Sequence, residues 1–144
     1  MAINYHPKRG LIIRCDYDQG FRIPEMVKKR PVVVISPPIE NRRLGLCTVV
    51  ALSTTAPDHI MPYHAQLTLN SPLPKPYNKT TTMWIKGDMV NTVGFHRLDL
   101  LRCDRDKIGL RQYYMKPLTN EQLKLVYRCV LNGLGLANLT KYQK

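Results

Sequence analysis

No Cys-x-x-Cys pair, no apolar run of membrane-spanning length and no internal repeat occur in this chain of 144 residues. Cys15, Cys47, Cys103 and Cys129 are scattered, with no histidine at ligand distance in sequence, which argues against a zinc site or a disulfide framework. Cys15, Cys47 and Cys129 lie within apolar runs, where a free cysteine behaves as a small hydrophobe. Without a stretch near the roughly 20 apolar residues that a spanning helix needs, a transmembrane helix is excluded. No basic amphipathic helix stands out to lie on a membrane surface either. The opening Met-Ala-Ile-Asn-Tyr-His-Pro-Lys-Arg lacks the apolar core of a signal peptide, so a cytoplasmic location is expected. No carboxylate cluster is able to hold a catalytic metal, and no metal or other cofactor is expected.

Acidic residues are scarce. Ten Asp and Glu stand against 22 Lys and Arg, a formal charge of +12. An imbalance of that size in a small chain implies an anionic partner, nucleic acid first and an acidic protein second. With 44% hydrophobic residues and no linker, residues 1–144 read as a single domain with a real core.

Short apolar runs at 11–16, 32–36, 47–53, 65–69, 80–86 and 89–93 read as strands, and 113–115 as a late edge strand. Val32 to Ile35 is a continuous β-branched run bounded by prolines, as expected of a strand covered on both faces. Pro31 is expected at that strand's first position, because it has no N–H for the ladder. Gly87-Asp88 reads as a turn between two strands. Residues 37–45 form a turn-rich loop with a basic tip. Pro72, Pro74 and Pro76 forbid ladder pairing across 71–79, which reads as an extended surface loop ordered by a partner. A helix is expected from 120 to about 134, opened by a Thr119/Gln122 capping box and carrying Leu123, Val126, Tyr127, Val130, Leu131 and Leu134 on one stripe. From Lys141 onward the chain reads as an unanchored basic tail. Many short strands before one terminal helix predict a mainly β fold, a small curved sheet or barrel with a C-terminal helix packed on one side.

The most informative stretch is Gly10-Leu-Ile-Ile-Arg-Cys-Asp-Tyr-Asp followed by Pro24-Glu-Met-Val-Lys-Lys-Arg-Pro-Val-Val-Val-Ile-Ser-Pro37. It delivers Glu25, Lys28, Lys29 and Arg30 to one rim of a sheet, where a rigid base supports a site suited to phosphate. This pattern resembles the opening of the PemK/MazF family of toxin–antitoxin ribonucleases. Trp84-Ile-Lys-Gly-Asp-Met-Val and Val93-Gly-Phe-His-Arg-Leu98 resemble its YifN-like branch. The resemblance runs from about Pro7 to Leu98 by motif and takes in the final helix by position. It implies an SH3-like small barrel of the PemK/MazF (CcdB-like) type, a homodimer, and a metal-independent, sequence-selective endoribonuclease. It also implies an acidic antitoxin whose disordered tail folds over the basic groove.

Metal-free RNA cleavage uses the 2′-hydroxyl as nucleophile, so the protein must take its proton, stabilise charge on the phosphate oxygens and help the 5′-oxygen leave. Arg30 suits the second task, since guanidinium grips two oxygens at once, and the resemblance gives it a catalytic role. It also reads as a surface cation opening a strand. Ser53 falls where the family has a catalytic threonine, with Thr54 beside it; a serine there also simply ends a strand. Lys86-Gly-Asp88 matches an Arg-x-Asp element, with Asp88 to accept a proton and Lys86 to neutralise phosphate, or else the carboxylate closes a turn. Glu25 is a rival base, or the partner of Lys28 or Arg30 in a salt bridge. Where some relatives carry a histidine before that Glu, this chain has Pro24. His64 titrates near neutrality and follows Tyr63, so the two make a pair able to stack on a splayed base; for His96 and His64 alike, the plainer reading is a satisfied structural histidine. Lys28, Lys29, Thr54, Lys86, His64 and Tyr63 are thus the candidate contacts for single-stranded RNA. A gyrase poison of the CcdB-like kind, and an RNA-binding barrel that has lost catalysis, are the competing readings.

Overall fold

In the computed structural model, which describes residues 2–38 and 45–143, six strands form one antiparallel sheet. They are β1 (Ile12–Asp16), β2 (Lys29–Val34), β3 (Leu46–Ser53), β4 (His64–Thr68), β5 (Thr82–Gly94) and β6 (Leu98–Asp99), in the order β4-β5-β3-β2-β1-β6. The sheet ends at β4 and β6 rather than closing as the expected barrel does; β6 offers only two residues for pairing. The basic tip of the 37–45 loop falls outside the described residues.

The valine run sits in the middle. Val32 and Val34 pack with Ile13, Cys15, Val49 and Ala51 on one face, and Val33 packs with Ile12, Val50, Leu52 and Ile85 on the other. All three valines are fully buried, which is why the run is continuous rather than alternating. Pro31 lies inside β2, opposite Arg14, and not at its start. The reason is directional. Val34 gives its N–H to Leu11 of the β1 side and Ile35 gives its N–H to Thr48 of the β3 side, so an N–H at 31 would point toward β3. Pairing with β3 begins only at Val32, so the proline withholds a donor where no ladder needs one.

The expected turn at Gly87-Asp88 is absent. Both residues lie within the 13-residue β5, at a bulge where pairing with β3 jumps from Val50↔Val90 to Ala51↔Lys86. Across that bulge packs the helix α1 (Asn120–Gly133), which buries Val126 and Cys129. Its capping box is formed, with Thr119 and Gln122 each bonded to the other's backbone. Gly135, at φ +73°, supplies the left-handed residue that ends it.

Three further expectations are corrected. Residues 113–115 form no strand, only a bridge between Arg102 and Tyr113. The Pro-rich loop is packed, with Leu73 buried and the Tyr77 hydroxyl donating to the Lys29 carbonyl at 3.3 Å. The tail forms a 3-10 helix (Ala137–Tyr142) and is tied back by Gln143 Nε2 donating to the Lys124 carbonyl at 3.0 Å. Among the described residues, no helix is long and apolar enough to cross a membrane.

Candidate nucleic-acid interface and active site

Strand register brings several of the singled-out residues onto one face. The β2–β3 ladder pairs Val34 with Val49, Val33 with Val50 and Val32 with Ala51, and stops there. Counting on by two sets Arg30 level with Ser53, at the mouth where the two strands part. Ser53 pairs with Trp84, and Trp84 with Gln66; in the next row Ala51 pairs with Lys86, and Lys86 with His64. Because side chains alternate, Arg30, Ser53, Trp84, Lys86 and His64 share the face that Val32 and Ala51 occupy. Four strands at about 4.8 Å spacing make that row roughly 14 Å across.

Arg30 is half-buried, and its Nε–H donates to the Val27 carbonyl at 3.0 Å, which fixes the stem of the side chain. Among the described residues no carboxylate pairs with it. Its guanidinium edge is therefore available to an anion. Ser53 is 5% exposed, and its hydroxyl is engaged twice with one residue: it accepts the Thr55 N–H and donates to the Thr55 carbonyl, both at 3.1 Å. It closes the turn that leaves Thr54 exposed beside it.

His64, Lys86 and Asp88 form a second group. Burial, then the Lys86 charge, push the His64 imidazole below its ordinary value of 6.5, with Asp88 pulling the other way. The ring is thus neutral at pH 7. Its Nδ1 accepts the Met61 N–H at 3.1 Å, and Tyr63 stands edge-on to it with centroids 4.6 Å apart. Tyr63 also accepts the Gly87 N–H at its carbonyl, at 2.9 Å. The glycine of Lys86-Gly-Asp88 is required by packing: a Cβ there would meet the Cys129 carbonyl oxygen at 2.3 Å. Asp88 itself is exposed beside it.

Glu25, Lys28 and Lys29 stand apart from that row, in and after the β1–β2 loop. Glu25 is exposed and, among the described residues, makes no ion pair, so the alternative of a salt bridge to Lys28 or Arg30 is not realised. The loop is nonetheless fixed. Met26 is buried beneath it, the Tyr17 N–H donates to the Lys28 carbonyl at 3.0 Å, and Lys28 takes a φ of 71°. Arg97, which the sequence did not single out, is the principal clamp. Its Nη1 donates to the Asp16 and Gln19 carbonyls at 3.2 and 2.6 Å, and its guanidinium lies 4.8 Å from the Phe21 ring centroid. The Gly94-Phe-His-Arg-Leu98 motif thus uses its arginine here, while His96 is exposed. Among the described residues no group of three His, Cys, Asp or Glu is placed to hold a metal ion. Among the described residues, Arg30 and Lys86 make no ion pair, and with the His64 imidazole and the nearby Asp88 carboxylate they are residue types suited to binding a phosphate and moving a proton.

Comparison with known proteins identifies the family and the fold. Residues 8–130 match the family model for a PemK-like, MazF-like toxin of type II toxin–antitoxin system. The uncharacterized protein YifN of Escherichia coli (strain K12) is 28% identical over 156 residues, covering 96% of this chain and 99% of that one. An endoribonuclease in complex with its cognate antitoxin from Mycobacterial species superposes with a TM-score of 0.58 at 22% identity, covering 90% of this chain and 96% of that one. MazF from Deinococcus radiodurans gives 0.57 at 16% identity, covering 91% and 98%.

Proposed function

We propose that this chain, which belongs to the PemK-like, MazF-like toxin family of type II toxin–antitoxin systems, is an endoribonuclease that cuts single-stranded RNA at selected sequences without a metal ion. Residues 1–144 act as one domain, paired as a homodimer in the cytoplasm and restrained by an acidic antitoxin. The observation that carries this reading is the shared face of Arg30, Ser53, Lys86 and His64, set by the register of four strands. The +12 charge supplies attraction to the RNA backbone.

Arg30 takes two phosphate oxygens through its unpaired guanidinium and stabilises charge as the 2′-oxygen attacks phosphorus. Asp88 accepts the 2′-hydroxyl proton as the new P–O bond forms, with Lys86 beside it to offset phosphate charge; the P–O5′ bond then breaks and the leaving 5′-oxygen takes a proton from water. Glu25, exposed and unpaired, is the alternative base. His64, neutral at pH 7, orients the Tyr63 side chain toward a base. Ser53 shapes the turn and, by exchanging its Thr55 carbonyl acceptor for a phosphate oxygen, adds one hydrogen bond. Thr54, Lys28 and Lys29 contact the flanking backbone.

Purified protein incubated with single-stranded RNA in EDTA is expected to leave 2′,3′-cyclic phosphate and 5′-hydroxyl ends. A 3′-hydroxyl product, or cleavage restored only by magnesium, contradicts the mechanism. One observation favours a second reading, RNA binding without cutting: the Ser53 hydroxyl is already engaged on both sides. Wild-type binding with no cleavage of any RNA decides for it.

A further inference from the structure

A cleft of about 570 Å³ opens away from the Arg30–Ser53 row, between the Pro-rich loop and the 102–116 segment. Leu73, buried to 1% exposure, is its apolar floor. Lys75, Arg102 and Lys116 line it with Tyr113 and Tyr114. Tyr113 is 43% exposed, so its ring offers a free face. The wall is firm: Arg102 bridges Tyr113, and the Cys103 and Tyr114 N–H groups donate to the Gln112 and Leu101 carbonyls at 2.8 and 2.9 Å.

The cleft continues into a second cationic cavity. A smaller cavity of about 170 Å³ shares Lys75 and Arg102 with it and adds Arg14 and Tyr77. There Arg14 and Arg102 both reach Asp99, at 3.2 and 3.6 Å, so two guanidinium groups meet one carboxylate and Lys75 adds a further cation. The Tyr77 hydroxyl donates to the Lys29 carbonyl at 3.3 Å, which ties the wall of this cavity to the start of β2. Arg14, which pairs with Pro31, lies on the face of the sheet opposite to that of Arg30; on that opposite face Arg14, Arg102, Lys75 and Lys116 line the two cavities, with Asp99 and Asp104 among them. Amines spaced along a groove with tyrosines beside them suit a strand that carries phosphates and unstacked bases.

We infer that this cleft is a second single-stranded RNA subsite, in which Lys75 and Lys116 hold backbone phosphates and Tyr113 stacks on a base flanking the cut. The inference rests on the proposed ribonuclease function and deepens it, since it concerns where the substrate's flank is held. An acidic peptide shares the charge requirement but not the need for an exposed ring beside spaced amines, so RNA is the occupant the geometry favours.

The test is fluorescence anisotropy of the full chain with labelled 2′-O-methyl oligoadenylate of about 16 nucleotides, the upper range for small β modules. The methyl group blocks the internal nucleophile, so binding is read without cleavage. Lys75→Gln with Lys116→Gln is expected to reduce the slope of log affinity on log salt by about 1.4, at 0.7 per phosphate contact on a single strand. Tyr113→Ala is expected to weaken binding roughly tenfold, as removal of one stacked base does. Lys75→Arg with Lys116→Arg keeps both charges and is expected to bind like wild type, which separates lost contacts from lost folding. If wild type binds and both Lys75→Gln/Lys116→Gln and Tyr113→Ala match it, the cleft proposal is overturned while the ribonuclease reading stands. If wild type binds no RNA, both fall together.

Discussion

Gly87 lies directly beneath Cys129, so close that a Cβ on the glycine would stand 2.3 Å from the cysteine's carbonyl oxygen. The α1 backbone thereby fixes the β5 bulge from which Lys86 and Asp88 project. Gly133 repeats the relationship from the helix side, its would-be Cβ 2.7 Å from the Gly87 carbonyl oxygen. Gly87→Ala must push helix and strand apart, since the clash is with backbone on both sides. Its expected effect is a loss of about 3 kcal/mol or more, at or beyond the upper end of ordinary overpacking. Asp88→Asn, on an exposed side chain, is expected to leave the unfolding midpoint within about 0.5 kcal/mol of wild type while lowering cleavage at least a hundredfold. Urea denaturation beside an RNA cleavage assay checks both. Equal effects of the two substitutions on stability contradict this division of the motif.

The Ser53 hydroxyl satisfies both polar groups of Thr55 in a nearly buried position. Ser53→Ala leaves the Thr55 N–H to water, since Thr55 is exposed, and a loss of about 0.5–1.5 kcal/mol in stability is expected. Its effect on cleavage should be smaller than that of Arg30→Ala, because the hydroxyl's first duty is the turn. Chemical denaturation and single-turnover cleavage of the two variants make the comparison.

Arg97 holds the β1–β2 loop through two carbonyls and the Phe21 ring. Arg97→Ala should release the loop that carries Glu25. The expected outcome is faster proteolytic nicking between residues 18 and 28, with the β-sheet signal in circular dichroism retained. A loop as resistant as wild type contradicts the clamp.

Burial raises the Cys15 and Cys129 thiols from 9.0 to about 11. The folded state therefore holds these protons more tightly than the unfolded chain does. Their contribution to stability is complete below pH 9 and is lost as pH rises through about 11. Urea midpoints measured across that window should fall, and Cys15→Ala with Cys129→Ala should flatten the fall. At pH 8 a thiol reagent should label Cys103, the one cysteine of the four that is not buried, first.

The sequence exposed what depends on neighbours in the chain. The valine run, the Thr119/Gln122 cap and the charged approach to β2 are local patterns, and each is present as expected. Local pattern and structure diverge where the deciding contact is distant in sequence. Gly87-Asp88 carries a turn signal, yet the glycine is there for a helix that follows much later in the chain. Pro31 sits inside a strand because its missing donor faces a gap in pairing, which no single strand reveals. Arg97 carries no sequence signal, because its partners are backbone carbonyls of a far earlier loop, which leave no signature of residue type. The candidate site was legible as a set of residues; its rows across β2, β3, β5 and β4 required the register.

The most direct test of the central claim is Arg30→Ala, assayed in parallel for RNA cleavage and RNA affinity. Many phosphate contacts share binding, whereas one position meets the charge that develops at phosphorus. Cleavage is expected to fall at least a hundredfold, about 3 kcal/mol of lost transition-state stabilisation, while affinity falls only severalfold. Arg30→Lys should rescue poorly, since an ammonium group does not make the two-oxygen contact. Undiminished cleavage by Arg30→Ala, or a loss of binding that matches the loss of cleavage, contradicts the account.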